Sequence, residues 1–278
     1  MGNQFLSNIR ETDAIIHVVR AFENDDIVHV SGKVSPIDDI EIINTELILS
    51  DLSIVEKLYQ KAQKNTKSGQ KEGMPMKELV EKILTALKEG TSLRKLTFGK
   101  EELVLLKNFQ LLTLKPVLYV ANVNESGFEN NPHLDLILDY ATQDHSKVVP
   151  ICAEIEAEIC ELSNDEKKEF LLEMGQNESG LDRLIKAGYD LLGLHTYFTA
   201  GEKEVKAWTI TVGDSAPVAA GKIHTDFEKG FIRAETISFQ DYIDYKGEKG
   251  AKDAGKLRTE GKDYVVKDGD IMHFLHNT

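Results

Sequence analysis

The chain has 278 residues, 41% of them hydrophobic, which is enough to bury a core and suggests about two domains. Its net charge of −14 argues against broad adhesion to nucleic acid, whose phosphates are bound by clustered Lys and Arg. Two cysteines, Cys152 and Cys160, form no disulfide framework or metal cluster, no apolar run approaches the roughly 18 residues that span a bilayer, and the N-terminus has no signal-peptide pattern. A cytoplasmic protein without membrane contact is expected.

Residues 2–11 place Phe5, Leu6 and Ile9 on one side of a short amphipathic helix, and 14–19 form an apolar strand containing His17, read as a packed residue. Residues 20–36 follow as a polar connection carrying Asp25, Asp26, His29 and Gly32, a switch-like loop by position. From 38 to 112 the period is helical. Ile40, Ile43 and Leu47, then Leu52, Val55, Tyr59 and Ala62, and later Leu79, Ile83, Leu84 and Leu87 recur at three- or four-residue steps. A tip at 65–75, rich in Lys, Gly and Ser, separates two antiparallel helices. Lys57, Lys61, Lys64, Lys67 and Lys71 share a face there, either as a stripe for RNA phosphates or as a solvated face partnered by Glu56 and Glu72.

Residues 116–125, Pro-Val-Leu-Tyr-Val-Ala-Asn-Val-Asn-Glu, read as a buried parallel strand that ends abruptly in a polar loop. In open α/β sheets that carboxyl edge is where ligands bind. Asn122 offers an amide and Glu125 a carboxylate, a pair suited to the edge of a purine. Nucleotide-binding GTPase-type proteins use Asn-x-x-Asp at this place. The extra methylene of Glu125 displaces the carboxylate beyond the hydrogen-bond window of about 2.7–3.2 Å, so guanine selectivity should weaken, while an Asn amide can still meet adenine N6 and N7.

Asn131-Pro132 is a cap followed by Pro at the first helical position, with the helix running to about residue 143. A strand at 148–152 leads into a turn at Cys152, Ala153 and Glu154, and Ser163 with Glu166 forms a capping box. Beyond residue 197 the apolar residues fall in short β-like runs between Gly and Asp turns. Trp208 and His224 are read as filling core or pinning a turn. This part carries 12 basic against 14 acidic residues, whereas 1–196 carries 21 against 33, so it is the less repelled by RNA.

Three stretches resemble the YchF family of Obg-like ATPases, in its bacterial branch: the N-terminal Gly2-Asn-Gln-Phe-Leu-Ser-Asn-Ile-Arg-Glu-Thr-Asp, the Asn122-Val-Asn-Glu-Ser-Gly-Phe-Glu-Asn-Asn-Pro loop, and Gly221-Lys-Ile-His-Thr-Asp-Phe-Glu-Lys-Gly-Phe-Ile-Arg. Asn44-Thr-Glu-Leu and Glu260-Gly-Lys-Asp-Tyr-Val-Val-Lys-Asp-Gly-Asp join them in family order. The resemblance implies an α/β chain: a partial P-loop NTPase-type parallel sheet at 1–43 and 113–196, a helical hairpin inserted at 44–112, and a β-grasp TGS domain at 197–278. It implies ATP and Mg²⁺ as cofactors, a ribosomal partner, and adenine contacts at Asn122, Val123, Glu125, Cys152, Ala153 and Glu154. It also implies His29 as the residue that orients the attacking water. Family members begin with a Gly-x-x-x-x-Gly-Lys-Ser/Thr phosphate loop, and no such motif occurs in these 278 residues. The expectation is a truncated member, inactive alone, with no metal ligands and with its strands at 14–19 and 116–121 partly unpaired. The alternative is a noncatalytic ribosome- or RNA-binding module made of hairpin and TGS domain.

Overall fold

The computed structural model describes residues 2–30, 32–67, 73–201 and 203–277, which cluster into two compact units, Met1–Leu191 and Leu192–Thr278. The chain is α/β, with a parallel three-stranded sheet in the first unit and a mixed five-stranded sheet in the second.

The first unit opens with helix α1 (Gly2–Arg10) and strand β1 (Ile15–Arg20), then the long helices α2 (Pro36–Lys67) and α3 (Gly73–Lys88) and the short α4 (Lys100–Lys107). Strand β2 (Val117–Asn122), helix α5 (Pro132–Gln143), strand β3 (Lys147–Ile151) and helices α6 (Ala153–Glu161), α7 (Asn164–Glu173) and α8 (Gly180–Leu192) follow. The sheet order is β1-β2-β3, all parallel. Val117 to Ala121 are buried because β2 lies between two strands and under helices on both faces, which is what its unbroken apolar run requires. Val117, Tyr119 and Ala121 pack with Leu134 and Ile137 of α5 and Ile155 and Ile159 of α6. Leu118 and Val120, pointing the other way, pack with Val149 and Ile151 against Leu184, Ala187 and Leu191 of α8.

The expectation that the strand at 116–121 is left partly unpaired is therefore corrected: β2 is paired along both edges. It is β1 that has one strand neighbour among the described residues, and its Ile16 and Val18 are 52% and 63% exposed.

Helices α2 and α3 pack antiparallel through Ile48 and Val55 against Leu79, Val80, Ile83, Leu84 and Leu87. The expected tip at 65–75 is shorter than the composition suggested, since α2 runs to Lys67 and α3 starts at Gly73; Pro75 is tolerated because it sits in the first turn. Residues 68–72, including Lys71, and the side chain of Lys67 lie outside the described residues, while Lys57, Lys61 and Lys64 are exposed on α2. The return segment is not helical hairpin throughout. A 3-10 turn at Leu93–Lys95, α4 and a second 3-10 turn at Leu112–Leu114 fold back so that Leu93, Leu106 and Leu111 join the same apolar cluster. Helix α2 also passes through Asn44 without a break.

Two buried polar clasps hold α2, one to α1 and the 3-10 turn before β2, the other to α5 and β2. Asp51, fully buried, accepts hydrogen bonds from the Leu112 amide (3.0 Å), the Thr113 amide (2.8 Å), the Thr113 hydroxyl (2.8 Å) and the Arg10 guanidinium (3.0 Å). Further along the sheet, Arg94 donates to Asp144 (2.9 Å) and Asn44 (2.9 Å), Asn44 donates to the Tyr140 hydroxyl (3.0 Å), and the Tyr119 hydroxyl donates to Asp144 (2.8 Å). Burial, then the Asp144 charge, pushes the Tyr119 phenol well above its ordinary range, so it stays a proton donor in this cluster.

The second unit contains β4 (Leu194–Ala200), β5 (Val205–Thr211), α9 (Ala216–Ile223), α10 (Thr225–Lys229), β6 (Phe231–Ile237), α11 (Phe239–Asp244), α12 (Glu248–Asp253), β7 (Arg258–Glu260) and β8 (Ile271–His276). The sheet order is β5-β4-β8-β6-β7, with β4 and β8 parallel and the remaining pairs antiparallel. Ala216, Ala219 and Ala220 bring α9 close to the sheet, where the buried Tyr197 hydroxyl donates to the Ala219 carbonyl (2.8 Å). His224 does pin a turn: its Nδ1 accepts from the Asp226 amide (3.2 Å) at the start of α10. Trp208 is partly buried, with its indole N–H donating to Thr199 (2.9 Å) and the Lys206 ammonium 4.0 Å above its ring.

Candidate functional site

Three of the candidate residues meet at the carboxyl end of β2. Asn122 closes the strand, pairing with Arg20 of β1 and Ile151 of β3, and its carbonyl accepts from the Ala21 amide (2.8 Å). Its side-chain oxygen accepts from the amide of Ala153 (3.0 Å), the first residue of α6, so one amide side chain ties two adjacent loops together. Val123 is buried and its amide donates to the Ile151 carbonyl (2.9 Å). Asn122, Val123 and Ala153 are thus brought together.

The remaining candidates divide. Ala153 and Glu154 are exposed at the start of α6, whereas Cys152 caps that helix from the core, its side chain buried with Ile155 and Ile159. Cys152 can therefore offer a ligand only its backbone. Glu125 is exposed, two residues before Gly127, whose close fit is shown by the position a Cβ would take: 2.4 Å from Asn124 Oδ1 and 3.1 Å from Val123 Cβ. The loop is closed by Asn131. Its Nδ2 donates to the carbonyls of Ala21 (2.9 Å) and Gly127 (2.9 Å), while its Oδ1 accepts from the amides of His133 (3.0 Å) and Leu134 (3.3 Å). The sequence marked Asn131 as a helix cap; that the same amide also fastens β1 to the loop has no local signal, because Ala21 lies 110 residues away.

His29 sits apart, on the connection between β1 and α2. Arg20 organises the first half of that connection by donating to the carbonyls of Phe22 (3.0 Å), Asn24 (3.1 Å) and Ile27 (3.0 Å). His29 is largely buried, and its Nε2 lies 3.0 Å from Asp39 Oδ2 in the first turn of α2. On β1 the His17 ring meets the Tyr119 ring at 5.7 Å; burial and then the Arg94 charge depress its pKa, with Asp39 opposing.

One stretch has part of a phosphate-loop spacing: Gly250, Gly255 and Lys256 stand as Gly-x-x-x-x-Gly-Lys, but Leu257 follows in place of the hydroxyl residue. Its context differs too, since helix α12 precedes the lysine and strand β7 follows it, the reverse of a strand-loop-helix cradle. Among the described residues no three His, Cys, Asp or Glu side chains come together. No helix is long and apolar enough to cross a membrane, among the described residues.

Comparison with known proteins places this geometry. The ribosome-binding ATPase YchF of Escherichia coli O157:H7 is 60% identical over 277 residues, a match covering 100% of this chain and 76% of that protein. The chain belongs to the YchF family. The ribosome-binding ATPase YchF of Bacillus subtilis strain 168 is 52% identical over 280 residues, again with 76% of its length covered. A YchF GTPase C-terminal family model, described as a protein of unknown function (DUF933), matches residues 194–277. Among solved structures, the Schizosaccharomyces pombe YchF GTPase superposes with a TM-score of 0.86 at 38% identity, covering 98% of this chain and 75% of that one. A GTP-binding protein from Pyrococcus horikoshii OT3 shares the fold at a TM-score of 0.60 and 19% identity. The family is thus one of ATP- and GTP-hydrolysing proteins by name, and the α/β architecture is shared along nearly the whole chain.

Proposed function

We propose that this chain retains the base-reading half of a YchF-type ATP site and binds adenine in preference to guanine. The observation that carries the reading is the Asn122 side chain bridging β2 to the Ala153 amide, which presents Asn122, Val123 and the backbone at Cys152 and Ala153 on one sheet edge. The exposed Glu125 is too long to replace the aspartate that reads guanine, and Glu154, exposed in the first turn of α6, is a further candidate contact. His29 is the residue to orient an attacking water once a phosphate grip is supplied. The sequence holds no Gly-x-x-x-x-Gly-Lys-Ser/Thr loop, so the amides and lysine that hold ATP phosphates, and the hydroxyl that helps hold Mg²⁺, are not provided by these residues. Alone, the chain is expected to bind weakly and to turn nothing over.

Its partner in this reading is the ribosome, as the names of its relatives indicate, with residues 1–43 and 113–196 as the nucleotide domain, 44–112 as the protruding hairpin and 197–278 as a TGS-type β-grasp domain. The setting is the cytoplasm. Lys57, Lys61 and Lys64, exposed on one face of α2, favour a second reading in which hairpin and C-terminal unit act as a noncatalytic ribosome- or RNA-binding module. Calorimetric titration with ATP and GTP, beside a magnesium-dependent ATPase assay, separates them. Adenine-selective binding without turnover supports the first reading; no nucleotide binding with retained ribosome association supports the second.

A further inference from the structure

We propose that the second unit holds a site for one unstacked base of single-stranded RNA, in the fork where strands β4 and β8 part; the proposal rests on the reading of this unit as part of an RNA-binding module. The two strands pair at Phe198 and Ile271, where the Phe198 amide donates to the Asp270 carbonyl (2.8 Å), and at no further position among the described residues. Both nevertheless continue. Strand β4 stays with β5 as far as Ala200 opposite Val205, and β8 stays with β6 as far as His276 opposite Phe231. Two strand pairs thus diverge within one sheet, and the backbone edges that face the fork are left for solvent or a ligand to satisfy.

The fork opens into a groove of about 630 Å³, inside the range of roughly 300–1,000 Å³ usual for ligand sites. Its lining is aromatic. Trp208 of β5, Phe227 of α10 and His276 of β8 line it together with the buried Met272 and Phe274, and the Phe227 and His276 rings stack with centroids 3.8 Å apart. Trp208, Phe227 and His276 are each only partly buried, so the core does not seal them in. Flat, half-open rings are what an unstacked base needs, since every base has a face that stacks. The Lys206 ammonium lies 4.0 Å above the Trp208 ring, covering a face that a base would take. Its flexible stem lets it turn to the phosphate that arrives with that base. Lys203, exposed, lines the same groove beside Glu204. RNA brings rings and phosphates together, as the groove brings rings and lysines together; an apolar side chain of a protein would match the rings alone.

The simpler role for these rings is to close the edge of the core around Tyr197, Met272 and Phe274. Trp208 is the sole tryptophan, so its fluorescence in the 278-residue chain separates the two. Oligouridylate, which carries no purine for the edge at Asn122, is expected to quench Trp208 saturably, and duplex RNA, whose bases stay stacked, is expected not to. His276→Ala should weaken binding by about 5- to 150-fold, the factor carried by one lost stacking partner, and His276→Tyr, which keeps a ring, should restore most of it. Lys206→Gln should lower the slope of log affinity against log salt by about 0.7. Circular dichroism of each variant checks the fold. Oligouridylate binding that leaves Trp208 unmoved, or that survives His276→Ala, overturns the groove and leaves the RNA-binding module standing, whereas no RNA binding at all sinks both. Equal quenching by duplex RNA, or quenching by ribosomal proteins freed of RNA and not by oligouridylate, also overturns the proposal.

Discussion

Replacing Asp51 by Ala should unfasten helix α2 from α1 and from the 3-10 turn that leads into β2. The carboxylate is fully buried and serves four donors: two consecutive backbone amides, Leu112 and Thr113, the Thr113 hydroxyl and the Arg10 guanidinium, all between 2.8 and 3.0 Å. Removing one partner of a buried ion pair costs about 3–5 kcal/mol. Each stranded buried donor carries about 1–3 kcal/mol of desolvation, but the four share one acceptor and their costs do not add. The expected loss is therefore about 3–5 kcal/mol, a large part of the roughly 5–15 kcal/mol that holds a domain together. Trp208, the sole tryptophan, reports on the C-terminal unit, so the loss is best read by amide exchange in the N-terminal one. The Leu112 and Thr113 amides should exchange at least about 100-fold faster, since each 1.4 kcal/mol is a factor of ten. Asp51→Asn, which turns an NH₂ toward these donors, should also destabilise. A cost under about 1 kcal/mol for Asp51→Ala, with exchange at Leu112 and Thr113 unchanged, would refute the reasoning.

Other outcomes follow from the same structure. Burial depresses the pKa of His17 below its ordinary 6.5, so the unfolded chain binds the proton more readily; stability should fall as pH drops from about 7 through 6.5 toward the folded value, and His17→Gln should flatten that slope in urea melts followed by circular dichroism. Burial first, and Glu41 second, raises Tyr140 to about 12, and burial with the Asp270 hydrogen bond raises Tyr264 to about 12, so in an absorbance titration both phenols should ionise after exposed tyrosines, and the stability they contribute should be lost as pH rises above about 10. Gly230→Ala would put a Cβ 2.3 Å from the Asn277 carbonyl, which is backbone and cannot swing away; a cost of about 1–3 kcal/mol is expected in denaturation followed by Trp208 fluorescence. Asn122→Ala removes the acceptor for the Ala153 amide and should abolish adenine binding while leaving the fold intact, measured by calorimetry with circular dichroism as control.

What could be read from the sequence was local. The five apolar residues after Pro116 announced a strand buried on both faces, and Asn131-Pro132 announced the start of α5. Glu166 reaches back to the Ser163 amide (2.9 Å) and hydroxyl (2.6 Å), as the spacing of those two residues foretold. What escaped were polar contacts between distant segments. Asp51 and Arg94 look like charges on solvated surfaces until Thr113 and Asp144 arrive from 62 and 50 residues away. Asn44 carried family likeness only, yet it is buried between Arg94 and Tyr140. The loop after β2 was legible in its end residues but not in its closure, because Ala153 and Asn131 meet Asn122 and Ala21 only after the sheet has formed. Asp39 was invisible for the same reason: an acid at a helix start has a sufficient local explanation, and nothing in its neighbourhood names His29.

The central claim is that an adenine-reading edge stands at the end of β2 without a phosphate grip beside it. Titrating the ¹⁵N-labelled chain with adenosine, ATP and GTP tests it most directly. Adenosine and ATP should move the amides of Val123 and Ala153 to similar extents with similar, weak affinity, and GTP should move them less. Tighter binding of GTP, shifts that leave Val123 and Ala153 untouched, or a large gain from adenosine to ATP with magnesium-dependent turnover would contradict it.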